Sequence, residues 1–402
     1  MLKFVGNYIN QALLIVRKGF LFYNMVFLER DGTYINTSPE NDYYKKVLMF
    51  KKVWDSGQET FEIQTSGSTG MPKKIILHRK QMLASVKMTA KAFDLQEGDT
   101  AFCCLNIDYI AGMMMLVRAF EIGMDLVVVE PASNPFLGIE KHLYLLNANR
   151  GRNFFAFVPL QIQTILESEP IFAEILNSAK AIIIGGASVN ETIIEKIQKI
   201  YRPVYVTYGM TETITHIAIK RINGAAKDDF FNTLEGVDIK LNDSNCLMIK
   251  SKTTDNQWIE TNDVAEIVNG SSFVLHGRID NVINSGGVKI QLEKIEKTAE
   301  TILRKLDSEK KRLNGRFFVF SLPDEKLGER LIFVLEKSIS TELPSNEEAI
   351  KIDILLAFKE ILPKFEVPKE VFFVEKLLET PTGKIDKIKT INAYVLPQIS
   401  NG

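Results

Sequence analysis

Residues 64–74 read QTSGSTGMPKK, with a glycine or a hydroxyl side chain at almost every step before Pro72, Lys73 and Lys74. Consecutive backbone N–H groups, hydroxyls and a lysine are phosphate ligands, and such a loop can form an anion nest. It is not a Walker loop. Gly67 and Gly70 are three apart, and Met71-Pro72-Lys73 follows where G-x-x-x-x-G-K-[ST] requires lysine and a hydroxyl. Taken alone, the run also reads as a plain Gly/Ser turn. A second stretch, YGMTET from Tyr208 to Thr213, sets a phenol, a glycine, a hydroxyl and a carboxylate side by side. Tyr208 could stack on a base. Thr211 could bond a phosphate oxygen, and Glu212 could hold Mg²⁺, which takes one or two carboxylates plus nucleotide oxygens. In isolation these are equally a core tyrosine and a solvated glutamate. Two further stretches are HGRIDNVINSGGVKIQLEKIE, residues 276–296, and TPTGKIDK, residues 380–387. A lone Gly-Arg or Gly-Lys says nothing, because surface Arg and Lys are the norm. All four in this order are informative.

The elements that must carry them follow from periodicity. FEIQT (61–65) alternates like a strand and runs into the glycine loop, and a helix is expected from about Lys80 to Phe93. Strand-like runs follow at 100–105, 124–130, 154–159, 181–186 and 204–209. Helical segments at 113–123, 159–168 and 190–201 separate most of them. Buried strands alternating with amphipathic helices predict a parallel α/β sheet. The strand ends near Gly186 and Gly209 are where such sheets place ligands. Ser38-Pro39-Glu40 reads as an N-cap, an N1 proline and an acidic first turn, opening a helix to about Trp54. After residue 220 short runs broken by Asn, Asp, Gly and Ser predict an antiparallel or barrel-like β region. From about Asp280 a small α+β domain is expected, with helices near 291–306 and 346–362 and strands at 316–321, 331–336 and 371–375.

The bulk numbers narrow the class. At 402 residues two domains are the default. A formal net charge of −1 argues against broad nucleic-acid binding, which needs a basic surface. Cys103, Cys104 and Cys246 form no C-x-x-C, so a reduced, cytoplasmic protein without structural zinc is expected. The apolar stretch 12–28 is split by Arg17 and Lys18, and neither half reaches the roughly 20 apolar residues that span a bilayer. It reads as a packed helix and strand, with a membrane-surface segment as the alternative; a start near Met25 is a second alternative.

Together the motifs resemble the adenylate-forming (AMP-binding) ligases, the family of acyl-CoA synthetases, beetle luciferases and nonribosomal peptide adenylation domains. Thr65 to Lys73 matches T-S-G-[ST]-T-G-x-P-K, and Tyr208 to Glu212 matches Y-G-x-T-E. Thr261-Asn262-Asp263 stands for T-G-D, Gly277 through Glu293 for G-R-x-D-x-x-I…G-G-x-K-I…E, and Pro381 to Lys384 for P-x-G-K. The likeness covers about residues 60–390. It implies an α/β fold, with a large ATP- and acyl-binding domain over 1–279 and a small mobile domain over 280–402. The large domain would combine the parallel sheet with the β-barrel-like region. Only 64 residues precede the glycine loop, where the family carries well over a hundred, so a shortened N-terminal subdomain is implied.

The resemblance also implies two half-reactions: a carboxylate attacks the α-phosphate of ATP, then a thiol displaces AMP. ATP, Mg²⁺ and CoA are the expected cofactor and co-substrates, with a small carboxylate as partner. No nucleic acid and no membrane insertion are expected, and a homo-oligomer is compatible with the sequence. By analogy Thr65, Ser66, Gly67, Ser68, Thr69, Gly70 and Lys73 hold the β/γ-phosphates. Tyr208 and Gly209 lie at the adenine beside Gly185-Gly186-Ala187. Thr211 contacts the α-phosphate and Glu212 carries Mg²⁺. Asp263 binds the ribose and Arg278 supports ribose or phosphate. Lys384 bridges carboxylate and α-phosphate. Asp280 is the implied hinge, with a helix or turn cap as its plainer role, and Gly286, Gly287 and Lys289 line the thiol tunnel.

The acyl pocket is expected in residues 106–120, with Tyr109 in the aromatic role, Gly112 and Arg118. Asp108-Tyr109 stand where the family usually has a histidine. If its helix is buried, Arg118 needs a carboxylate, and a dicarboxylic substrate would supply one; otherwise it snorkels from a surface helix. The spacing from Ala111-Gly112 to Arg118 is similar to that in o-succinylbenzoate–CoA ligases of menaquinone synthesis. The expectation is therefore CoA ligation of an aromatic dicarboxylate. The alternatives are another aryl or short acyl acid, a carrier protein as thiol, or a non-catalytic nucleotide-binding protein.

Overall fold

The computed structural model describes residues 25–64, 74–310, 316–337, 347–380 and 384–400. The glycine loop residues Thr65 to Lys73, and Pro381 to Gly383, lie outside the described residues. The chain forms two compact units. The first runs to Asp238 and takes back Lys250–Ile259; the second comprises Ile239–Ile249 and everything from Glu260.

The first unit is built on strands β1 (Val26–Leu28), β2 (Tyr34–Asn36), β5 (Thr100–Cys103), β6 (Asp125–Val128), β7 (Asn153–Phe157), β8 (Ala179–Ile184), β9 (Val204–Gly209), β10 (His216–Arg221) and β11 (Phe231–Thr233). Their order is β2-β1-β6-β5-β7-β8-β9-β10-β11. β6, β5, β7, β8 and β9 are parallel, and the flanking pairs are antiparallel. β5 and β7 are buried at every position, as strands covered on both faces must be. Alternate residues serve two cores. Phe102, Val127, Phe155, Phe157, Ile182 and Ile184 pack on one face with Ile162, Ile165, Phe172 and Ile175. Ala101, Cys103, Leu126, Phe154, Ala156 and Ile183 pack on the other with Tyr44, Val47, Phe93 and Leu116. This period of two fixes the register, because a one-residue slip would exchange the faces.

Helices α1 (Asp42–Asp55), α2 (Arg79–Phe93) and α3 (Ile110–Ile122) supply the second of these cores. They also enclose Trp54, Phe61, Ile63, Leu77, Met82, Met113, Met114 and Val117, on which a separate hairpin rests. That hairpin pairs β3 (Thr60–Gln64) with β4 (Lys74–His78) and brings Gln64 opposite Lys74, at the two ends of the glycine loop. Met113 to Met115 are therefore core residues. α1 starts later than Ser38-Pro39 suggests. Its N-cap is Asn41, whose side chain accepts from Tyr43 N at 2.8 Å, while Asn41 N closes a turn on Ser38 O.

In the second unit β12 (Asp238–Leu241), β13 (Cys246–Lys250), β14 (Ile259–Asn269) and β15 (Ser272–Arg278) lie side by side in chain order. A five-stranded sheet follows. β16 (Val282–Ser285) lies between β17 (Val288–Gln291) and β19 (Gly328–Glu336), and β19 is flanked by β18 (Phe317–Asp324) and, in parallel, β20 (Glu370–Val374). Helices Leu292–Lys310 and Glu347–Ile361 cover it around Ile295, Ile302, Phe333, Phe358 and Phe373. One short turn, Ile279–Asn281, links β15 to β16, and Asp280 is its centre.

Candidate active site

In the first unit the parallel strands change direction of progression at β5, with β6 on one side and β7 on the other. Loops at the C-terminal ends of such strands form the ligand crevice. The residues singled out from the sequence lie there: Gly185-Gly186-Ala187 after β8, Tyr208 and Gly209 ending β9, and Tyr109 to Gly112 after β5. The glycines are required. A Cβ at Gly185 would lie 2.6 Å from Thr207 Oγ1, and Gly186 has φ of 89°. A Cβ at Gly209 would lie 2.6 Å from His216 Cα, with Thr215 O closer still, because the chain folds back onto β9. A Cβ at Gly112 would lie 2.5 Å from the Asn106 carbonyl carbon, so α3 starts against the turn leaving β5.

After Gly209, Thr211–Thr213 makes one 3₁₀ turn. Buried Thr213 braces it: Met210 N donates to its Oγ1 at 3.1 Å, and the same hydroxyl donates to Thr215 O at 2.8 Å. Ile214 closes the turn at φ of 67°. A β-branched residue there stores on the order of 1–3 kcal/mol, held by its packing on the helix and hairpin core. Tyr208 is half-buried, its ring 5.9 Å from that of Phe231. Glu212 is exposed, and no ion pair engages it among the described residues.

Arg118 does not snorkel. It is 2% exposed on α3, and among the described residues no carboxylate faces it. Its Nε donates to Thr89 Oγ1 at 3.3 Å and its Nη2 to Thr215 Oγ1 at 2.9 Å. Ser85 Oγ lies 2.8 Å from that second hydroxyl, and His216 Nε2 lies 3.4 Å from Thr89 Oγ1. Burial lowers the Arg118 pKa to about 10, and burial and then the Arg118 charge push the His216 pKa well below the ordinary imidazole range. Sequence reasoning missed Ser85, Thr89, Thr215 and His216. The signal was present: Ser85 and Thr89 fall on the buried stripe of α2 with Met82, Val86 and Phe93. Thr215-His216 directly follows the YGMTET run.

In the second unit Arg278 lies between two carboxylates. Its Nε and Nη2 reach both oxygens of Asp280 at 2.8 and 2.7 Å, and its Nη1 lies 3.5 Å from Asp263 Oδ1. These contacts hold the Asp280 carboxyl below its ordinary range. Glu293 accepts from Arg278 N at 3.3 Å, so the motif's last glutamate orients its arginine. Lys384 is half-buried. Burial and then the Arg278 charge lower its pKa, and the Asp263 charge opposes them. The structure thus brings together Asp263, Arg278, Asp280 and Lys384, predicted from motifs far apart in sequence. Gly286 and Gly287, with φ of 59° and 82°, make the two-residue turn between β16 and β17, with Lys289 exposed beside it.

The chain is an adenylate-forming ligase, and its relatives show it. A family model described as AMP-binding enzyme matches residues 35–245, and the chain belongs to that family. A solved acyl-CoA synthetase (AMP-forming)/AMP-acid ligase II-like protein from Dyadobacter fermentans is 35% identical, with a TM-score of 0.58 over 92% of this chain and 99% of that one. The 2-succinylbenzoate–CoA ligase of Listeria monocytogenes is 24% identical over 87% of this chain and 73% of its own length. The Bacillus subtilis o-succinylbenzoate CoA synthetase in complex with the acyl-adenylate OSB-AMP shares the fold, with a TM-score of 0.63 at 20% identity over 82% and 68% of the two chains.

Proposed function

We propose that this ligase joins an aromatic dicarboxylate, o-succinylbenzoate first among candidates, to CoA through an acyl-adenylate. A carboxylate oxygen attacks the α-phosphorus of ATP and pyrophosphate leaves. The CoA sulfur then attacks the acyl carbon, AMP leaves with the C–O bond pair, and the thiol proton passes to solvent. The acid is ionised at neutral pH and needs no base. The demand is for cations and N–H donors around the charge that develops in the transition state.

In this reading the first unit supplies the loop Thr65 to Lys73 for the β/γ-phosphates, Tyr208 with Gly185-Gly186-Ala187 for adenine, and Thr211 for the α-phosphate. Glu212 would hold Mg²⁺, which when bound neutralises phosphate charge. The second unit supplies Asp263 for the ribose, Arg278 to support it, and Lys384 to bridge the two reacting anions. Asp280 would be the hinge between a domain of residues 1–279 and one of 280–402, and the Gly286-Gly287 turn with Lys289 would serve the thiol. No helix among the described residues is long and apolar enough to cross a membrane. An enzyme using ATP and CoA, with all three cysteines buried as free thiols, would work in the cytoplasm.

The observation that carries the choice of acid is Arg118. Among the described residues this buried guanidinium is met by hydroxyls and by no carboxylate, and the substrate's second carboxylate would supply the counter-charge in a bidentate pair. The names of the curated relatives point the same way. The test is pyrophosphate release with a panel of acids. o-Succinylbenzoate should give the highest kcat/KM, and Arg118→Met should weaken it by about 2–5 kcal/mol while leaving monocarboxylic aryl acids unaffected. Preference of the wild type for a monocarboxylic acid would overturn the Arg118 assignment. Turnover of no acid at all would favour a non-catalytic nucleotide-binding protein.

A further inference from the structure

Position 262 is asparagine where the T-G-D pattern has glycine, and the structure gives its side chain a partner. Asn262 Nδ2 donates to Asp280 Oδ2 at 3.3 Å. The same oxygen takes Arg278 Nη2 at 2.7 Å, and the other takes Arg278 Nε at 2.8 Å. Glycine has no such donor. Asn262 stands on β14 next to Asp263, whereas Asp280 belongs to the turn that alone links β15 to β16. The amide therefore ties a strand of one sheet to the linker that leads into the next. It does so beside the Asp263 carboxylate, whose Oδ1 lies 3.5 Å from Arg278 Nη1 and whose charge acts on Lys384.

We propose that Asn262 is a positioning residue. Its amide pins the Asp280 carboxylate, and through it the Arg278 guanidinium, in the arrangement that keeps Lys384 beside Asp263 for adenylate formation. The inference rests on the ligase reading and on a hinge at Asp280. A carboxylate with two donors from Arg278 can still swing with that side chain. A third donor, fixed on a neighbouring strand, removes the freedom. A rotation that carries the Asp280 carboxylate away from β14 breaks the Asn262 bond. Being one exposed hydrogen bond to a charged group, it biases the equilibrium without blocking it. Its loss should shift the partition between the two half-reactions by several-fold.

The experiment uses the full chain and measures the half-reactions separately. Asn262→Gly is expected to slow acyl-adenylate formation roughly 3- to 10-fold. Thioester formation from preformed adenylate should stay unchanged or rise. Asn262→Ala, which removes the donor without adding backbone freedom, should behave alike. In an Asp280→Ala background neither substitution should have a further effect. Amide hydrogen exchange across Ile279–Val282 should quicken in Asn262→Gly and show no such difference in the Asp280→Ala background. The proposal is overturned if both half-reactions fall by one factor, if the effect survives Asp280→Ala, or if exchange in the linker is unchanged. A wild type that releases no pyrophosphate with any acid would instead sink the ligase reading, and the exchange measurement would then decide the Asn262 contact alone.

Discussion

The Lys384 ammonium is half-buried with a guanidinium for a neighbour, and both facts favour loss of its proton; the Asp263 carboxylate favours retention. In the proposed role, which is to screen two anions, its working form is the charged one. The sign follows. A lysine with a lowered pKa loses its charge at a lower pH than an ordinary lysine, so adenylate formation should decline with rising pH through a midpoint below 10.5. Asp263→Asn removes the opposing charge and should move that midpoint further down. The rate of pyrophosphate release against pH, at saturating ATP, reads both; a midpoint at or above 10.5, or one that rises in the variant, contradicts the assignment. At this scale the motif residues were legible in the sequence, because each carries a chemical group at a characteristic spacing. The surroundings of Arg118 were not. Its hydroxyl partners lie 29 and 97 positions away, and only folding brings α2 and the end of the YGMTET turn to α3. Neither the commitment of Arg278 to Asp280 nor the donor role of Asn262 follows from spacing.

At the scale of elements, the glycines separate packing from conformation. Gly112 has φ in the ordinary range, but a methyl group would press against the Leu105-Asn106 backbone, which cannot rotate aside. Gly287 has φ of 82° with nothing within 4 Å of a Cβ. Gly112→Ala should therefore cost about 2–3 kcal/mol or more by displacing α3 and with it Arg118. Gly287→Ala should cost only the left-handed backbone penalty, about 1–2 kcal/mol. Urea midpoints compare the two, and equal losses would show that α3 gives way. The elements themselves were largely legible. A buried strand such as Asn153–Phe157 is too short and too aromatic to be a helix, and Pro159 marks the next helix start. The start of α1 was misplaced because Ser38-Pro39 and Asn41 offer competing caps, and only the tertiary turn onto Ser38 O selects Asn41.

For the whole molecule, alternation of buried strands with helices was enough to predict the parallel sheet, since parallel neighbours need a long crossover and that crossover is usually a helix. Hydropathy did not indicate that β12 to β15 would be grouped with the C-terminal residues in one compact unit. That grouping joins Asp263 and Arg278, on adjacent strands, to Lys384 more than a hundred positions later. In the proposed function this lysine serves the step in which the acid and the α-phosphate are both present. In the second step the bond to break is acyl to AMP, and the attacking thiol brings no second phosphate charge to screen. Lys384→Ala should thus lower acyl-adenylate formation about 10²–10³-fold. It should leave ATP affinity close to wild type, and thioester formation from preformed adenylate should persist. Single-turnover kinetics of each half-reaction, with a calorimetric titration of ATP, distinguish these outcomes. Unchanged adenylate formation in Lys384→Ala would remove the lysine from the chemistry. An equal loss in both half-reactions would make it a structural residue of the second unit instead.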